Sequence, residues 1–170
     1  KYALDENLYV MLMGDLHEAG TKKSIGDSVY TQLISPGDQL AENRAMLKPL
    51  ADRGQILGLV HGNHEQRIKN DVGLDISSEL ATSLKVEYGG YGCFLMIRVG
   101  NQLYTIYCTH GVSGAKTLDS KRKAIRDLRL FNQADAFAMG HVHAADFFAE
   151  SYQGVNKRNK VVQDFDKWFI

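Results

Sequence analysis

At 170 residues the chain can bury one sizeable core but not two of ordinary size. Its 20 basic and 20 acidic side chains cancel, so no net field draws it to a nucleic acid or an anionic membrane. No apolar run approaches the ~20 residues of a membrane span. Two cysteines, Cys93 and Cys108, sit inside apolar strand-like segments and read as buried free thiols of a cytoplasmic protein.

Residues 8–13 form a continuous apolar run, the pattern of a strand buried on both faces. The polar stretch at 19–30 has no periodicity and reads as a long loop at a strand end, where function concentrates. Ser35-Pro36 opens a helix, with serine as cap and proline in the first turn. Leu40, Met46, Leu47 and Leu50 share one face of it, and Arg53-Gly54 ends it. Residues 56–60 make a second buried strand, and 74–84 read as a helix. Segments 94–99 and 103–108 flank Gly100-Asn101, a two-residue hairpin signal. Residues 117–131 form a helix with Leu118, Ile125, Leu128 and Leu130 apolar and a basic remainder. A short strand at 136–139 follows, and then a second hairpin, 147–152 and 160–162, about a polar turn at 156–159. The chain enters a strand soon after Lys1 and closes on Lys167-Trp168-Phe169-Ile170, the start of another. Both ends read as cut, so residues 1–170 are expected to be a fragment carrying one domain. Early alternation of helix and strand with late hairpins predicts a mixed α/β fold, helices packed outside sheets.

Four clusters of metal-ligand residues fall at predicted strand ends: Gly14-Asp15, Gly62-Asn63-His64-Glu65, Thr109-His110-Gly111 and Gly140-His141-Val142-His143. Carboxylate, amide and imidazole donors together suit borderline divalent ions such as Mn, Fe, Zn or Ni. A rigid sheet can aim such side chains from distant parts of a sequence at one point. Glu65 is placed to accept the ring N–H of His64. His141 and His143, on alternate residues, would point apart in extended chain and share a site only if the backbone turns there.

The four clusters, in this order, resemble the motifs of the calcineurin-like metallophosphoesterases: GD, GNH[DE], a lone strand-end His and GHxH. The resemblance spans Asp15 to His143, and the segment from Gly14 to Gln39 looks like members found in bacteriophage genomes. It implies a β-sandwich flanked by helices in four αββα layers, and a centre of two divalent metal ions, Mn foremost. By position it implies that Asp15 bridges the metals, that Asn63, His110 and His141 hold one, and that His143 helps hold the other. His64 would be the catalytic histidine at the leaving-group oxygen. The family also has an upstream Asp-x-His motif. Asp15-Leu16-His17 fits it literally, with Gly37-Asp38 as GD, but no buried strand precedes Asp38, which reads as a helix start favoured by the helix dipole. Asp15 is therefore read as the GD aspartate, His17 as a loop residue, and Asp-x-His is expected to lie before Lys1.

The expected activity is hydrolysis of a phosphoester substrate. Lys116, Lys121, Arg122, Lys123, Arg126 and Arg129 crowd one helix, which suggests a phosphodiesterase or nuclease acting on DNA or RNA. Other classes stay open: a protein or small-molecule phosphatase, or a non-catalytic accessory subunit using the same scaffold. A structural zinc module fits poorly, since neither cysteine lies in a motif.

Overall fold

The structure, a computed structural model, describes residues 1–112 and 114–170. They fall into two units, Lys1–Cys93 with Thr109–Val112, and Phe94–Cys108 with Ser113–Ile170. The architecture is mixed α/β.

The first unit begins with a one-turn helix α1 (Tyr2–Asp5) and strand β1 (Val10–Leu12). Where a loop was expected, Thr21 caps a short helix α2 (Lys22–Ile25), followed by a 3₁₀ segment Gly26–Thr31. Helix α3 (Pro36–Asp52) starts where its signals predict. The Ser35 hydroxyl accepts the Asp38 N–H at 3.2 Å, and the Asp38 carboxylate accepts the Ser35 N–H at 3.3 Å. Asp38 is thus committed to a capping box.

Strand β2 (Ile56–Leu59) lies parallel to β1, pairing Met11 with Gly58 and Leu12 with Leu59. On the other side of β2, Leu59 bridges Tyr88. Two further helices follow β2, α4 (Asn63–Val72) and α5 (Ile76–Leu84). Leu59, Leu80, Leu84, Leu50 and Ile56 form the buried core, with Leu12, Leu40 and Leu47 packed against them. Burying each such side chain stabilises by roughly 1.5–3 kcal/mol. Met46, expected to share a face of α3 with Leu40, Leu47 and Leu50, is instead 71% exposed.

The second unit is built on a five-stranded sheet. Its strands are β3 (Gly92–Val99), β4 (Gln102–Thr109), β5 (Ala136–Met139), β6 (Phe148–Val155) and β7 (Val162–Phe169), in the order β3-β4-β5-β7-β6. The two-residue turn at Gly100, φ +58, and Asn101 joins β3 to β4 as its dipeptide predicts. Strand β7 pairs parallel to β5 and antiparallel to β6. The predicted strand segments 160–162 and 167–170 prove to overlap the two ends of this one strand, which runs from Val162 to Phe169. Helix α6 (Leu118–Asp127), capped by Thr117, buries Ile125 against Phe137 and Phe169. Phe137, Phe169 and Phe148 stack at 5.5 and 4.8 Å between ring centres. Of the four apolar residues noted on the predicted 117–131 helix, Leu118 and Leu130 are exposed. Cys108 is buried and Cys93 half-buried, and burial pushes the Cys93 thiol up. Among the described residues no helix is long and apolar enough to cross a membrane.

Candidate metal centre

Because β1 and β2 run parallel, they release their exit loops at the same edge, which brings Asp15 beside Asn63 and His64. Two glycines permit the approach. At Gly14, φ +83, a Cβ would lie 2.7 Å from Gly62 Cα and 2.9 Å from His110 Nδ1. At Gly62 it would fall on the amide nitrogen and carboxylate of Asp15. Main chain packs on main chain here, and Asp15 itself is held at φ 53. A left-handed aspartate costs roughly 1–3 kcal/mol and persists only where its surroundings enforce it, which is characteristic of working sites.

The Asp15 carboxylate has two engagements. Its Oδ1 accepts the backbone N–H of His64 at 3.0 Å, in the first turn of α4, where the helix end favours an anion. Its Oδ2 lies 3.2 Å from His110 Nε2 and 3.8 Å from His64 Nε2. His110 directly follows β4 and is 4% exposed. Its Nδ1 stands 2.7 Å from the Met13 carbonyl oxygen, which can only accept, so the proton sits on Nδ1. In the neutral ring, Nε2 is then a lone pair, and it faces Asn63 Oδ1 at 2.9 Å as well as Asp15 Oδ2. Three acceptors converge on one point. A cation satisfies that arrangement, and one imidazole with two oxygens suits a borderline divalent ion.

His64 remains partly exposed. Its Nδ1 lies 3.4 Å from a carboxylate oxygen of Glu18, and its Nε2 is on the Asp15 side. The expected partner, Glu65, does not serve that ring. The first turn of α4 buries Glu65 completely, and its carboxylate accepts the backbone N–H groups of Asp15 at 3.1 Å and His17 at 3.0 Å. It also meets His17 Nδ1 at 3.3 Å. Burial pushes the Glu65 carboxyl up, but the His17 ring and the backbone N–H groups of Glu65 and His17 outweigh it and hold it below the ordinary range.

His17, read from the sequence as a loop residue outside the site, is 1% exposed, and among the described residues its buried Nε2 has no hydrogen-bond partner. An orphaned imidazole nitrogen in this position fits a cation ligand. The signal was the literal Asp-x-His spacing of Asp15-Leu16-His17, set aside in favour of the strand argument. Glu18 carried no sequence signal.

Behind α4, a polar network holds the helix. His61 Nε2 lies 2.7 Å from Gln66 Oε1, which also accepts from the Tyr91 hydroxyl at 2.6 Å. The Tyr88 hydroxyl donates to Asp75 at 2.9 Å, and Lys69 donates to the same carboxylate at 2.8 Å. Burial pushes the Asp75 carboxyl up, yet Lys69, Ser78 and Tyr88 hold it below the usual range.

The structure brings Asp15, Asn63, His64 and His110 together within the first unit. His141 and His143 belong to the second, just after β5. The backbone turn that two alternate imidazoles require is present there: His141 has φ 64 and His143 φ 48, and the Val142 N–H donates to the Gly140 carbonyl at 2.7 Å. Neither residue is in extended chain.

The basic helix is largely neutralised by its own unit. Arg122 donates to Asp146 at 2.7 Å, Lys123 pairs with Asp127, and Arg126 and Arg129 both pair with Glu150. Four of the six cations behind the nucleic-acid expectation are therefore taken up by carboxylates. Family models, curated proteins and solved structures give no match to this chain.

Proposed function

We propose that this chain is a metal-dependent phosphoester hydrolase of the calcineurin-like kind, with a metallophosphoesterase fold, two divalent cations and a cytoplasmic location. The observation that carries the reading is the convergence of His110 Nε2, Asn63 Oδ1 and Asp15 Oδ2. The orphaned Nε2 of buried His17 supports it. Asp15, His141 and His143 are three of the seven described non-glycine residues with positive φ.

Asp15, Asn63 and His110 would hold one cation, and His17 offers a further donor. His141 and His143 are ligand candidates on the strength of their paired turn. Divalent ions bound there supply a nucleophile at neutral pH and charge neutralisation for a phosphoryl group. The protein's part is position. Met13 fixes the His110 tautomer, the α4 N-terminus aims the Asp15 carboxylate, and His64, with Glu18 beside its Nδ1, presents Nε2 for the leaving-group oxygen. With most of the α6 cations paired, a compact phosphoester is favoured over a polynucleotide as substrate.

Hydrolysis of bis(p-nitrophenyl) phosphate with added Mn²⁺ tests the reading. Turnover should require the metal, vanish in D15A and fall by ~10²–10⁴ in H64A. Full activity in D15A, or no turnover of aryl mono- or diesters with Mn²⁺, Fe²⁺, Zn²⁺ or Ni²⁺, would count against it.

A further inference from the structure

The loop after β1 is built as an anion receptor that a carboxylate of the same chain occupies. Gly14 and Asp15 take successive left-handed conformations, φ +83 and 53. Backbone N–H groups turned toward one point in a tight turn can together bind an anion. Here Glu65 supplies it. Its Oε2 takes the Asp15 N–H and its Oε1 takes the His17 N–H, one oxygen to each amide. The same Oε1 faces His17 Nδ1. A Cβ at Gly62 would come within 2.5 Å of Oε2, so the glycine of the neighbouring turn is what admits this carboxylate.

We propose that Glu65 is the positioning residue of the metal centre: it clamps the Asp15–His17 backbone in the left-handed turn that aims the Asp15 carboxylate at His110, and it keeps the His17 proton on Nδ1. The inference rests on the reading of this site as a metal centre. Glu65 touches neither substrate nor cation; it acts through the two residues it holds. A carboxylate behind a histidine is the usual way proteins orient an imidazole donor, and losing one typically lowers metal affinity ~10–100-fold. Glu65 adds a second task, since the same group holds the backbone of the aspartate. That explains why the acid beside His64 in sequence is turned away from it.

The test is Mn²⁺ titration of the metal-free protein by calorimetry, comparing wild type, D15A and E65Q. Glutamine keeps the size but presents an amide NH₂ where one backbone N–H expects an acceptor. E65Q should keep its circular-dichroism spectrum, bind Mn²⁺ ~10–100-fold more weakly, and recover most of its kcat at saturating Mn²⁺. A purely structural role would move thermal stability without that split between metal affinity and kcat. If D15A abolishes binding while E65Q binds as tightly as wild type, the positioning role is wrong and the metal reading survives. If wild type binds no Mn²⁺, both fall. Should E65Q fail to fold, the ¹⁵N spectrum of the wild-type histidines decides: His17 protonated on Nδ1 supports the clamp, and the Nε2–H tautomer overturns it.

Discussion

Gly62→Ala is the sharpest probe of how the first unit's loops meet. Gly62 has φ −102, which alanine adopts freely, so any effect comes from contact alone. The added methyl would fall on the Asp15 amide and carboxylate and lie 2.5 Å from Glu65 Oε2, about 0.9 Å inside ordinary contact at 3.4 Å. The obstacle is main chain and a buried side chain, so the two turns must part. Overpacking of this kind costs ~1–3 kcal/mol, which for a chain of this size is a fall in Tm of roughly 2–12 °C. Displacing a metal-holding carboxylate by ~1 Å would also cost on the order of 10²-fold in turnover. Gly37→Ala, in the first turn of α3, is the control, because an added Cβ would meet Ser35 Oγ only at an ordinary contact distance of 3.8 Å, so no loss of stability or metal affinity is expected. Thermal melts and Mn²⁺ affinity measured side by side decide it. If G62A melts and binds like wild type, the close approach of Gly14 and Gly62 is wrong.

Further outcomes follow from other contacts. Asp75, with its carboxyl held below the usual range by Lys69, Ser78 and Tyr88, contributes stability that is present above its ordinary value of 3.8 and lost as pH falls below it. Urea unfolding should therefore show a larger loss for D75N at pH 7 than at pH 3, because asparagine can still accept the Ser78 N–H as the helix cap but cannot pair with Lys69. Equal losses at both pH values would contradict that ion-pair account. Duplex DNA should bind weakly at 50 mM salt, and R122Q and R126Q should not change it, since both arginines already serve Asp146 and Glu150. A steep salt dependence that these variants remove would restore the polynucleotide reading. H64A should retain wild-type Mn²⁺ affinity while losing turnover; a matching loss of metal affinity would make His64 a ligand instead.

Much of this was legible because strong local chemistry agreed with the fold. Ser35-Pro36 with Asp38 marked the start of α3 to the residue, and Gly100-Asn101 marked the β3–β4 turn. The strand–ligand–glycine grammar of Gly14-Asp15 and Thr109-His110-Gly111 found residues that do meet. What stayed hidden was non-local. The cluster at Gly62–Glu65 was placed only at a strand end, yet α4 begins at Asn63, with Gly73 closing it in a left-handed conformation. That helix start decides where Glu65 points. A side chain one residue from His64 looks like its partner in sequence, but the helix carries it to the opposite loop, onto Asp15 and His17. The contact of His17 with Glu65 of α4, 48 residues away in sequence, was likewise invisible from its own polar neighbours. On α6 the sequence showed the cations but not the carboxylates on other elements that neutralise them.

The account depends most on Asp15, Asn63 and His110 making one cation site, and Mn²⁺ binding to wild type and H110A measures that directly. Saturable binding by the wild-type chain that H110A weakens by at least 100-fold, with its folded spectrum unchanged, is the predicted result. Equal affinity in the two proteins, or no saturable binding in either, would contradict it.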